Sequence, residues 1–484
     1  MSESSVAPVH TGVASDEAFK IETHGIDYVP PGDRHGRPFE LFWLWLGAQV
    51  NIYPIIIGAL CVGLGLSFWA AIAVVIVANF AWPLVGLMGI AGPKAGNATL
   101  IISRSPFGVL GNRPAALLSW LTLLGWEAAG VIIATLSLYE LAQKAGLPGN
   151  AGVKAGCLTV IMVVTFGVAI WGHATIALLE KWFAILLAIA AVIIAIYVIP
   201  KAGVSHAAAP LAAKTAAGTW LLALIIFMAG VPMSWLNFPA EYARYLPENS
   251  SSKAVFWWTT LGGWVAAVFL GIVGVAAATA TANPDPIAGI TGLLPSGLAI
   301  PFLLIVVAGM VTNNFLNTYS SGLNLLVLGL KVQRYKSVFI DAVVAGLVSI
   351  YAVFFHNFYN LLVEYLSFLI LWIAPFAGVY LADMFLRRNT YDPRGLITVG
   401  SGPYWYSRGW NSRGVVAFGL GIIAGALFIN AAFWQGPLIG LVGGGDISAL
   451  VGLAVGWLAY YFMMRGELRP SGVTVAPSTA LKET

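Results

Sequence analysis

The sequence has 484 residues, of which 59% are hydrophobic and 9% are charged. A soluble domain carries roughly 25% charged residues, so this composition excludes an ordinary soluble protein. The net charge of +4 and the two cysteines, Cys61 and Cys157, indicate neither a nucleic-acid partner nor a disulfide framework. We therefore expect one polytopic membrane protein, in contact with the lipid bilayer and active as a monomer.

The chain begins with a polar stretch and continues as a series of apolar segments. Residues 1–38 contain no signal peptide, which predicts a mobile cytoplasmic arm, and residues 465–484 form a polar cytoplasmic tail. Between them, the apolar segments predict an all-α protein with about twelve transmembrane helices. These spans are numbered in order at 39–66, 69–91, 114–143, 154–173, 176–200, 217–240, 255–281, 298–328, 338–355, 359–385, 413–435 and 446–464.

The basic residues are distributed unevenly between the two sides of the predicted membrane. If the N-terminus lies inside, all but four of the 24 Lys and Arg residues fall on the inner side. The four on the outer side are Lys144, Lys154, Lys201 and Lys214. This asymmetry predicts that both termini are cytoplasmic and that the protein resides in the cytoplasmic membrane.

Two spans contain glycine, amides and proline at mid-membrane depth. Span one reads Gly-Ala-Gln-Val-Asn-Ile-Tyr-Pro at 47–54, and span six reads Met-Ala-Gly-Val-Pro-Met-Ser-Trp-Leu-Asn-Phe-Pro at 228–239. Irregular backbone survives at this depth only where it lines a cavity or is covered by protein. Because the two interruptions are five helices apart, they predict inverted repeats of five helices, at 39–200 and 217–385, with a site between them. The alternative is that proline and glycine are simply common in membrane helices.

A similar pattern predicts a third interruption. Span ten contains Pro-Phe-Ala-Gly at 375–378, and its proline would lack a backbone donor in mid-helix. We expect either a hinge or a kink without gating at this point.

Span eight has no charge between positions 300 and 330, yet one face of its helix is polar. The polar residues recur at i, i+4, i+7 and i+11, as Asn313, Asn317, Ser320 and Asn324. Such groups usually face the protein interior or a wet cavity and tend to mark a ligand path. The stripe therefore predicts a ligand-lining face, with hydrogen bonding between helices as the alternative.

Span three carries an aromatic and an acidic residue deep in the membrane. Trp126 lies beside Gly125 and Gly130, so its ring could offer a flat face to a planar ligand, or it could simply fill the core. Glu127 points about 100° away from Trp126 on a 3.6-residue helix. A carboxyl group at this depth is a candidate proton site, or else it is paired structurally.

Several segments, in order and on the expected spans, resemble one family of transporters. They lie at 22–30, 92–96, 103–108, 125–126, 235–242 and 313–320. The chain resembles the nucleobase–cation symporters, and within them the purine–cytosine permease branch. The resemblance implies a leucine-transporter-like fold with ten core helices in two inverted repeats, followed by two C-terminal helices at 413–464.

The resemblance also implies a substrate site. In similar proteins a planar heterocycle stacks on a Trp of span three, packs against an aromatic residue of span six and hydrogen-bonds an amide of span eight. An Asn side chain offers both a donor and an acceptor to such a ring. Some relatives carry an amide where this chain has Gly130, so the ring preference is expected to differ. The predicted substrate-binding residues are Trp126, Gly130, Trp235, Asn313, Asn317 and Asn51.

The resemblance also bears on the coupling ion. Sodium-coupled relatives bind their ion between spans one and eight, at positions that correspond here to Gly47, Val50, Ala308 and Thr312. Those relatives have a hydroxyl where this chain has Val311, and a valine side chain cannot ligate sodium. We therefore favour H⁺ over Na⁺, with Glu127 or Glu241 as candidate proton carriers, although Glu241 could instead pair with Arg244. No other cofactor or metal is expected.

Three functions follow from these features. The first is a symporter that imports a purine or pyrimidine base, such as cytosine. The second is a symporter of another neutral heterocycle, such as allantoin, a hydantoin or a thiamine-related pyrimidine. The third is a passive channel or a membrane enzyme, and the sequence shows no metal cluster, nucleophile–base set or phosphate loop that would support an enzyme.

Overall fold

A computed structural model describes residues 28–468, apart from 170–172, 209, 282, 284 and 331–333. Only the backbone is described at 168, 169, 173–184, 316, 319, 334 and 335. The predicted N-terminal arm at 1–38 lies outside the described residues up to position 27. The predicted tail at 465–484 lies outside them from position 469.

The described chain is helical, and its only strand-like pairing is two isolated bridges. The first half contains α1 Glu40–Gln49, α2 Tyr53–Gly63, α3 Phe68–Ala78, α4 Trp82–Gly89, α5 Ala91–Ala95, α6 Thr99–Ile102, α7 Arg104–Phe107, α8 Arg113–Lys144, α9 Ala151–Ala169 and α10 His173–Val198. The second half contains α11 Ala216–Gly230, α12 Pro239–Ala243, α13 Ser252–Ala280, α14 Pro286–Leu293, α15 Ser296–Val327, α16 Arg334–Phe355, α17 Phe358–Leu386, α18 Pro393–Ile397, α19 Ser412–Ala426 and α20 Ser448–Met464.

These helices account for every predicted span. Within the described residues, seven helical runs are long and apolar enough to cross a membrane, and the α1–α2 pair adds an eighth, bent by 52°. Shorter apolar helices occupy the positions of spans four, five, eleven and twelve. The protein is therefore an all-α polytopic membrane protein, and the count of twelve crossings stays a prediction.

The predicted break in span one is confirmed, and Asn51 bridges it. Helix α1 ends at Gln49, and α2 begins at Tyr53. The Asn51 side chain donates to the Ala48 carbonyl at 2.8 Å and accepts the Tyr53 backbone N–H at 2.9 Å. Pro54 lies in the first turn of α2, where its missing N–H would have no helical partner in any case.

The predicted break in span six is also confirmed. Helix α11 ends at Gly230, and Val231 leaves the helical region with φ −120° and ψ −83°. The chain then makes a single 3₁₀ turn, Met233–Trp235, before α12 starts at Pro239. Both broken spans therefore expose backbone near the middle of the bundle, where it must line a cavity or be covered.

The predicted interruption of span ten is wrong. Helix α17 runs without a break from Phe358 to Leu386, with Pro375 inside it. Three glycines of the last two spans lie against this proline: a Cβ on Gly421, Gly452 or Gly456 would come within 2.5–3.2 Å of its atoms. The helix stays continuous because α19 and α20 pack closely around the proline and cover it, and the choice between a hinge and a kink stays a prediction.

Spans one and seven approach each other through glycine. A Cβ on Gly274 would lie 2.0 Å from the Ile55 carbonyl oxygen, and one on Gly58 would lie 2.4 Å from the Gly271 carbonyl oxygen. Only glycine permits this separation, and small residues at a helix interface are a common way to bring membrane helices together. The first repeat is thereby packed directly on the second.

The described part of the predicted arm is bound to the bundle. The Val29 backbone N–H donates to the Gly96 carbonyl at 2.9 Å, and that of His35 donates to the Tyr245 carbonyl at 2.7 Å. The Arg34 guanidinium donates to the Val29 carbonyl at 2.9 Å and to the Pro93 carbonyl at 2.6 Å. The expectation of a mobile arm therefore does not hold for residues 28–38.

Candidate functional site

A cavity lies where the two broken spans meet α8 and α15. Five of the six predicted substrate-binding residues line it: Asn51, Trp126, Trp235, Asn313 and Asn317. The other lining residues are Gln49, Tyr53, Leu123, Gly230, Ser234 and Phe238. No charged side chain is among these eleven residues, so the cavity suits an uncharged ligand.

Trp126 is braced on α8 by two tyrosines. Its ring makes edge-on contacts with Tyr53 and Tyr365, with ring centroids 4.7 and 5.4 Å away. Tyr53 also donates its hydroxyl to the Trp126 carbonyl at 3.3 Å, and Tyr365 donates to the Thr122 carbonyl at 2.5 Å. Gly125 makes room for Tyr365, since a Cβ there would lie 2.1 Å from that ring. The indole is thereby held in one orientation at the cavity wall.

Trp235 is braced in a similar way on the broken part of span six. Its ring packs edge-on against Trp45, at a centroid distance of 5.5 Å, and against Phe238 at 6.4 Å. Trp45 is fully buried and also contacts Trp82 and Tyr242 edge-on. The cavity is therefore lined by two indoles, each backed by other aromatic rings.

The amides of α15 are only partly used by the protein. The Asn317 amide donates to the side-chain oxygens of Asn313 and Asn314 at 3.3 and 3.4 Å. In this arrangement the Asn317 oxygen and the Asn313 amide nitrogen have no hydrogen-bond partner among the described residues. One acceptor and one donor thus remain for a ligand in the cavity.

Gln49 belongs to the same lining and was not predicted. It is the last residue of α1, its side chain is buried, and its amide makes no hydrogen bond with the described residues. Gln49 and Asn51 lie at the same predicted break, and only the tertiary packing decides which of the two amides stays unused. The available signal was the position of Gln49, an amide at the break of span one.

Two of the predicted substrate residues have other roles in the structure. Asn51 reaches the cavity, but its amide is occupied in bridging the break of span one. Gly130 is not among the lining residues, because it faces the buried side chain of Asn314. A Cβ there would lie 2.5 Å from the Asn314 oxygen. Gly130 therefore leaves space for the side chain of Asn314, which accepts a hydrogen bond from the cavity residue Asn317.

The polar stripe of α15 divides into two parts. Asn313 and Asn317 line the cavity, whereas Asn324, further along the helix, donates to the Ser119 hydroxyl at 2.7 Å. Asn237 of span six donates to the same hydroxyl at 2.6 Å. One part of the stripe therefore lines the cavity and another part makes hydrogen bonds between helices, and ligand binding by the first part stays a prediction.

The four predicted cation ligands are not gathered around one cavity. Val50 lines a second, apolar cavity together with Gly309, and Gly47, Ala308 and Thr312 are not among its lining residues. The Thr312 hydroxyl donates to the Ala308 carbonyl at 2.9 Å within its own helix. The Gly47 carbonyl accepts the Val50 backbone N–H at 3.1 Å. A cation site at these four residues stays a prediction.

The two predicted proton carriers are both buried, outside the cavity. Glu127 is fully buried between helices, and neither of its carboxylate oxygens has a hydrogen-bond partner among the described residues. Glu241 lies on α12, one turn before Arg244, whose positive charge favours the ionised form of the Glu241 carboxyl group. Both alternatives for Glu241, a proton carrier or a partner of Arg244, therefore stay open, as does the role of Glu127.

Two interrupted spans around an uncharged central cavity are typical of membrane transporters built from inverted repeats. Solved structures of Mhp1, described as a nucleobase-cation-symport-1 family transporter, share the fold. The closed form with bromovinylhydantoin bound has a TM-score of 0.73 and 18% identity, and covers 92% of this chain and 97% of that one. The inward-facing form has a TM-score of 0.71 and 19% identity, and covers 93% and 97%. The fold is leucine-transporter-like, with an inverted-repeat core, as predicted.

Sequence comparison gives the family. The family model described as "Permease for cytosine/purines, uracil, thiamine, allantoin" matches residues 28–452, and the chain belongs to this family. YxlA of Bacillus subtilis (strain 168), provisionally named a purine-cytosine permease, is 28% identical over 93% of this chain and 97% of its own length. The purine-cytosine permease fcyB of Emericella nidulans is 26% identical over 93% and 89%. The predicted resemblance to nucleobase–cation symporters is thereby confirmed.

Proposed function

We propose that this protein imports a purine or pyrimidine base, with cytosine as the first candidate, by symport with a cation. One observation carries the proposal: two braced indoles and two partly unused amides line a single uncharged cavity between the broken spans. A nucleobase is flat and carries donors and acceptors on its edge, so it would stack on an indole and hydrogen-bond an amide. Trp126 and Trp235 would supply the stacking surfaces, and Asn313, Asn317 and Gln49 the hydrogen bonds.

A second candidate keeps the mechanism and changes the substrate. The family description includes uracil, thiamine and allantoin, and the related Mhp1 structure contains a hydantoin. A neutral five- or six-membered heterocycle of this kind has the same flat shape and the same type of polar edge. The amide pair would then select among rings by the order of donors and acceptors on that edge.

The orientation and location that we propose for the protein rest on the basic residues. Because nearly all Lys and Arg residues fall on one side of the predicted spans, we place both termini in the cytoplasm and the protein in the cytoplasmic membrane. The central cavity is built within one chain, so one monomer would suffice for transport.

The test is uptake by purified protein in proteoliposomes. A panel of radiolabelled bases, allantoin and a hydantoin is offered with no gradient, with a Na⁺ gradient and with an H⁺ gradient. We expect accumulation above the outside concentration of at least one base when a cation gradient is present. Equilibration to equal concentrations under every condition would contradict symport, and absence of uptake of the whole panel would contradict the substrate class.

A further inference from the structure

A second group of polar residues lies beside the cavity, where α8, α15 and α16 meet. Glu127 of α8, Thr318 and Ser321 of α15 and Asp341 of α16 are all fully buried. None of them lines the cavity. Thr318 follows the cavity residue Asn317, so its side chain points roughly 100° further around the same helix. We call these four residues the carboxyl pair site.

The carboxyl pair site contains polar atoms without partners. Both Glu127 oxygens, the Thr318 and Ser321 hydroxyls and one Asp341 oxygen make no hydrogen bond with the described residues. The other Asp341 oxygen accepts the Trp120 indole N–H at 2.9 Å. The Thr318 hydroxyl lies towards the Glu127 carboxyl group, and the Ser321 hydroxyl lies towards that of Asp341. The two carboxyl groups are near enough for the charge of Asp341 to act on that of Glu127. Buried polar groups are almost always satisfied, and a proton on one of the two carboxyl groups would let that group donate a hydrogen bond inside this cluster.

The charged groups on the surrounding helices lie elsewhere. Arg113 begins α8, and Lys144 near its other end pairs with Glu140 at 3.7 Å. Lys154 of α9 lies over the Tyr139 ring, at 5.1 Å from its centroid. On α16, Lys336 is exposed, unlike the buried Asp341, and on α17 the Glu364 carboxylate accepts backbone N–H groups of the loop after α19. The titratable neighbour on α17 is Tyr365, whose hydroxyl is bonded to Thr122.

We propose that Glu127 and Asp341 together bind the proton that drives symport. The inference rests on the proposed transport function and names its coupling ion. Two carboxyl groups buried inside a membrane, near enough for the charge of one to act on the other, are not both ionised. The pair therefore takes up one proton and shares it, with the two hydroxyls as hydrogen-bonding partners. A proton arriving from outside neutralises one carboxylate, and its release to the cytoplasm restores the charge.

The carboxyl pair site is joined to the cavity by short contacts. Glu127 follows Trp126, whose ring lines the cavity. Its backbone carbonyl accepts the Asn314 amide at 2.9 Å, and the Asn314 oxygen accepts the Asn317 amide at 3.4 Å. A change of charge at Glu127 therefore acts on the packing of α8 against α15, which carry the indole and the amides of the cavity. Proton and substrate binding are linked through this contact.

The test separates proton coupling from substrate transport. Wild-type protein, Glu127→Gln and Asp341→Asn are reconstituted in Na⁺-free proteoliposomes with the base chosen by the uptake panel. Accumulation is measured with an acidic outside, and exchange is measured with base preloaded inside and no gradient. Each neutral variant should lose proton-driven accumulation by about tenfold or more while exchange continues, as expected for loss of a coupling free energy. The control Thr135→Val alters another fully buried hydroxyl on α8 and should retain both activities.

A milder variant keeps both carboxyl groups. Thr318→Val removes the hydroxyl that lies towards Glu127, so the external pH of half-maximal proton-driven uptake should shift if Glu127 binds the proton. If Glu127→Gln does not fold, the pH profile of Thr318→Val still tests the proposal, and a profile equal to that of the wild-type protein overturns it. Proton-driven accumulation by both neutral variants, or wild-type accumulation driven only by Na⁺, also overturns it. Absence of exchange by the wild-type protein contradicts the proposed transport function instead.

Discussion

An amide inside a membrane can serve a ligand only if the protein leaves part of its hydrogen-bonding capacity unused. Asn51 and Asn317 line the same cavity, but their situations differ. Asn51 has its donor and its acceptor occupied by its own chain, at 2.8 and 2.9 Å. Asn317 donates to its neighbours at 3.3 and 3.4 Å and keeps its oxygen free. We therefore propose Asn317, rather than Asn51, for substrate recognition.

Replacement of Asn317 tests this assignment. Asn317→Ala should weaken binding of the transported base by about 5- to 150-fold, since a hydrogen-bonded contact to a base edge is worth about 1–3 kcal/mol. Binding of radiolabelled base to purified protein measures the effect. Ser320→Ala, a buried residue of the same helix outside the cavity, is the control and should bind normally. Equal affinity in both variants would remove Asn317 from the site.

Trp126 should contribute through its flat face. Base–aromatic stacking is worth about 1–3 kcal/mol, so Trp126→Ala should weaken binding by about 5- to 150-fold, and Trp126→Phe should lose less. The same binding measurement applies, with thermal stability of the purified variants as the control for folding. If Trp126→Phe is as defective as Trp126→Ala, the ring acts by filling space at a fixed size, and the stacking role is wrong.

At the scale of whole helices, the breaks were predictable because glycine and proline act on the backbone directly. Span one and span six are interrupted where their sequences place these residues. Pro375 gives the same local signal, yet α17 continues, because glycines of α19 and α20 pack around it. That outcome depends on helices more than 40 residues away in the chain, which local sequence patterns do not report.

The roles of some site residues could not be predicted from the sequence, because they too depend on helices that are distant in the chain. Gly130 belongs to the expected motif, but Asn314 occupies the space beside it. Asp341 sits near the start of a predicted span, where an acidic residue is easily assigned to the membrane surface. Only the packing of α16 on α8 brings it to Trp120 and towards Glu127. The sequence revealed which residues are unusual, and the tertiary contacts decide what each one faces.

The glycine contact between spans one and seven gives a prediction at the same scale. Gly274→Ala would place a methyl group 2.0 Å from the Ile55 carbonyl oxygen, so the helices must separate. Overpacking of this kind costs about 1–3 kcal/mol, and the Tm of purified protein in detergent should fall. Gly419→Ala is the matched control, because a Cβ there meets open space and should leave the Tm unchanged or higher. Equal Tm values for the two variants would show that the helices can separate at little energetic cost, contrary to this prediction.

For the whole molecule, the two repeats meet at the cavity, and the last two helices attach elsewhere. The Asp383 carboxylate of α17 accepts hydrogen bonds from Ser105 and Tyr460 at 2.6 Å and pairs with Arg387 at 2.9 Å. These contacts fasten α20 to span ten, and no residue of α19 or α20 lines the cavity. The Ser105 hydrogen bond joins the first repeat to the second, so rocking of one repeat against the other would have to break it, whereas the Tyr460 contact would hold α20 on span ten throughout.

The most direct measurement is an experimental structure determined with the base that the uptake panel selects. We predict that the ring lies flat against Trp126, with its polar edge on Asn317 and Asn313 and the second indole, Trp235, close to its other side. A base found at another place in the bundle, or a cavity that stays empty at saturating concentration, would contradict the account.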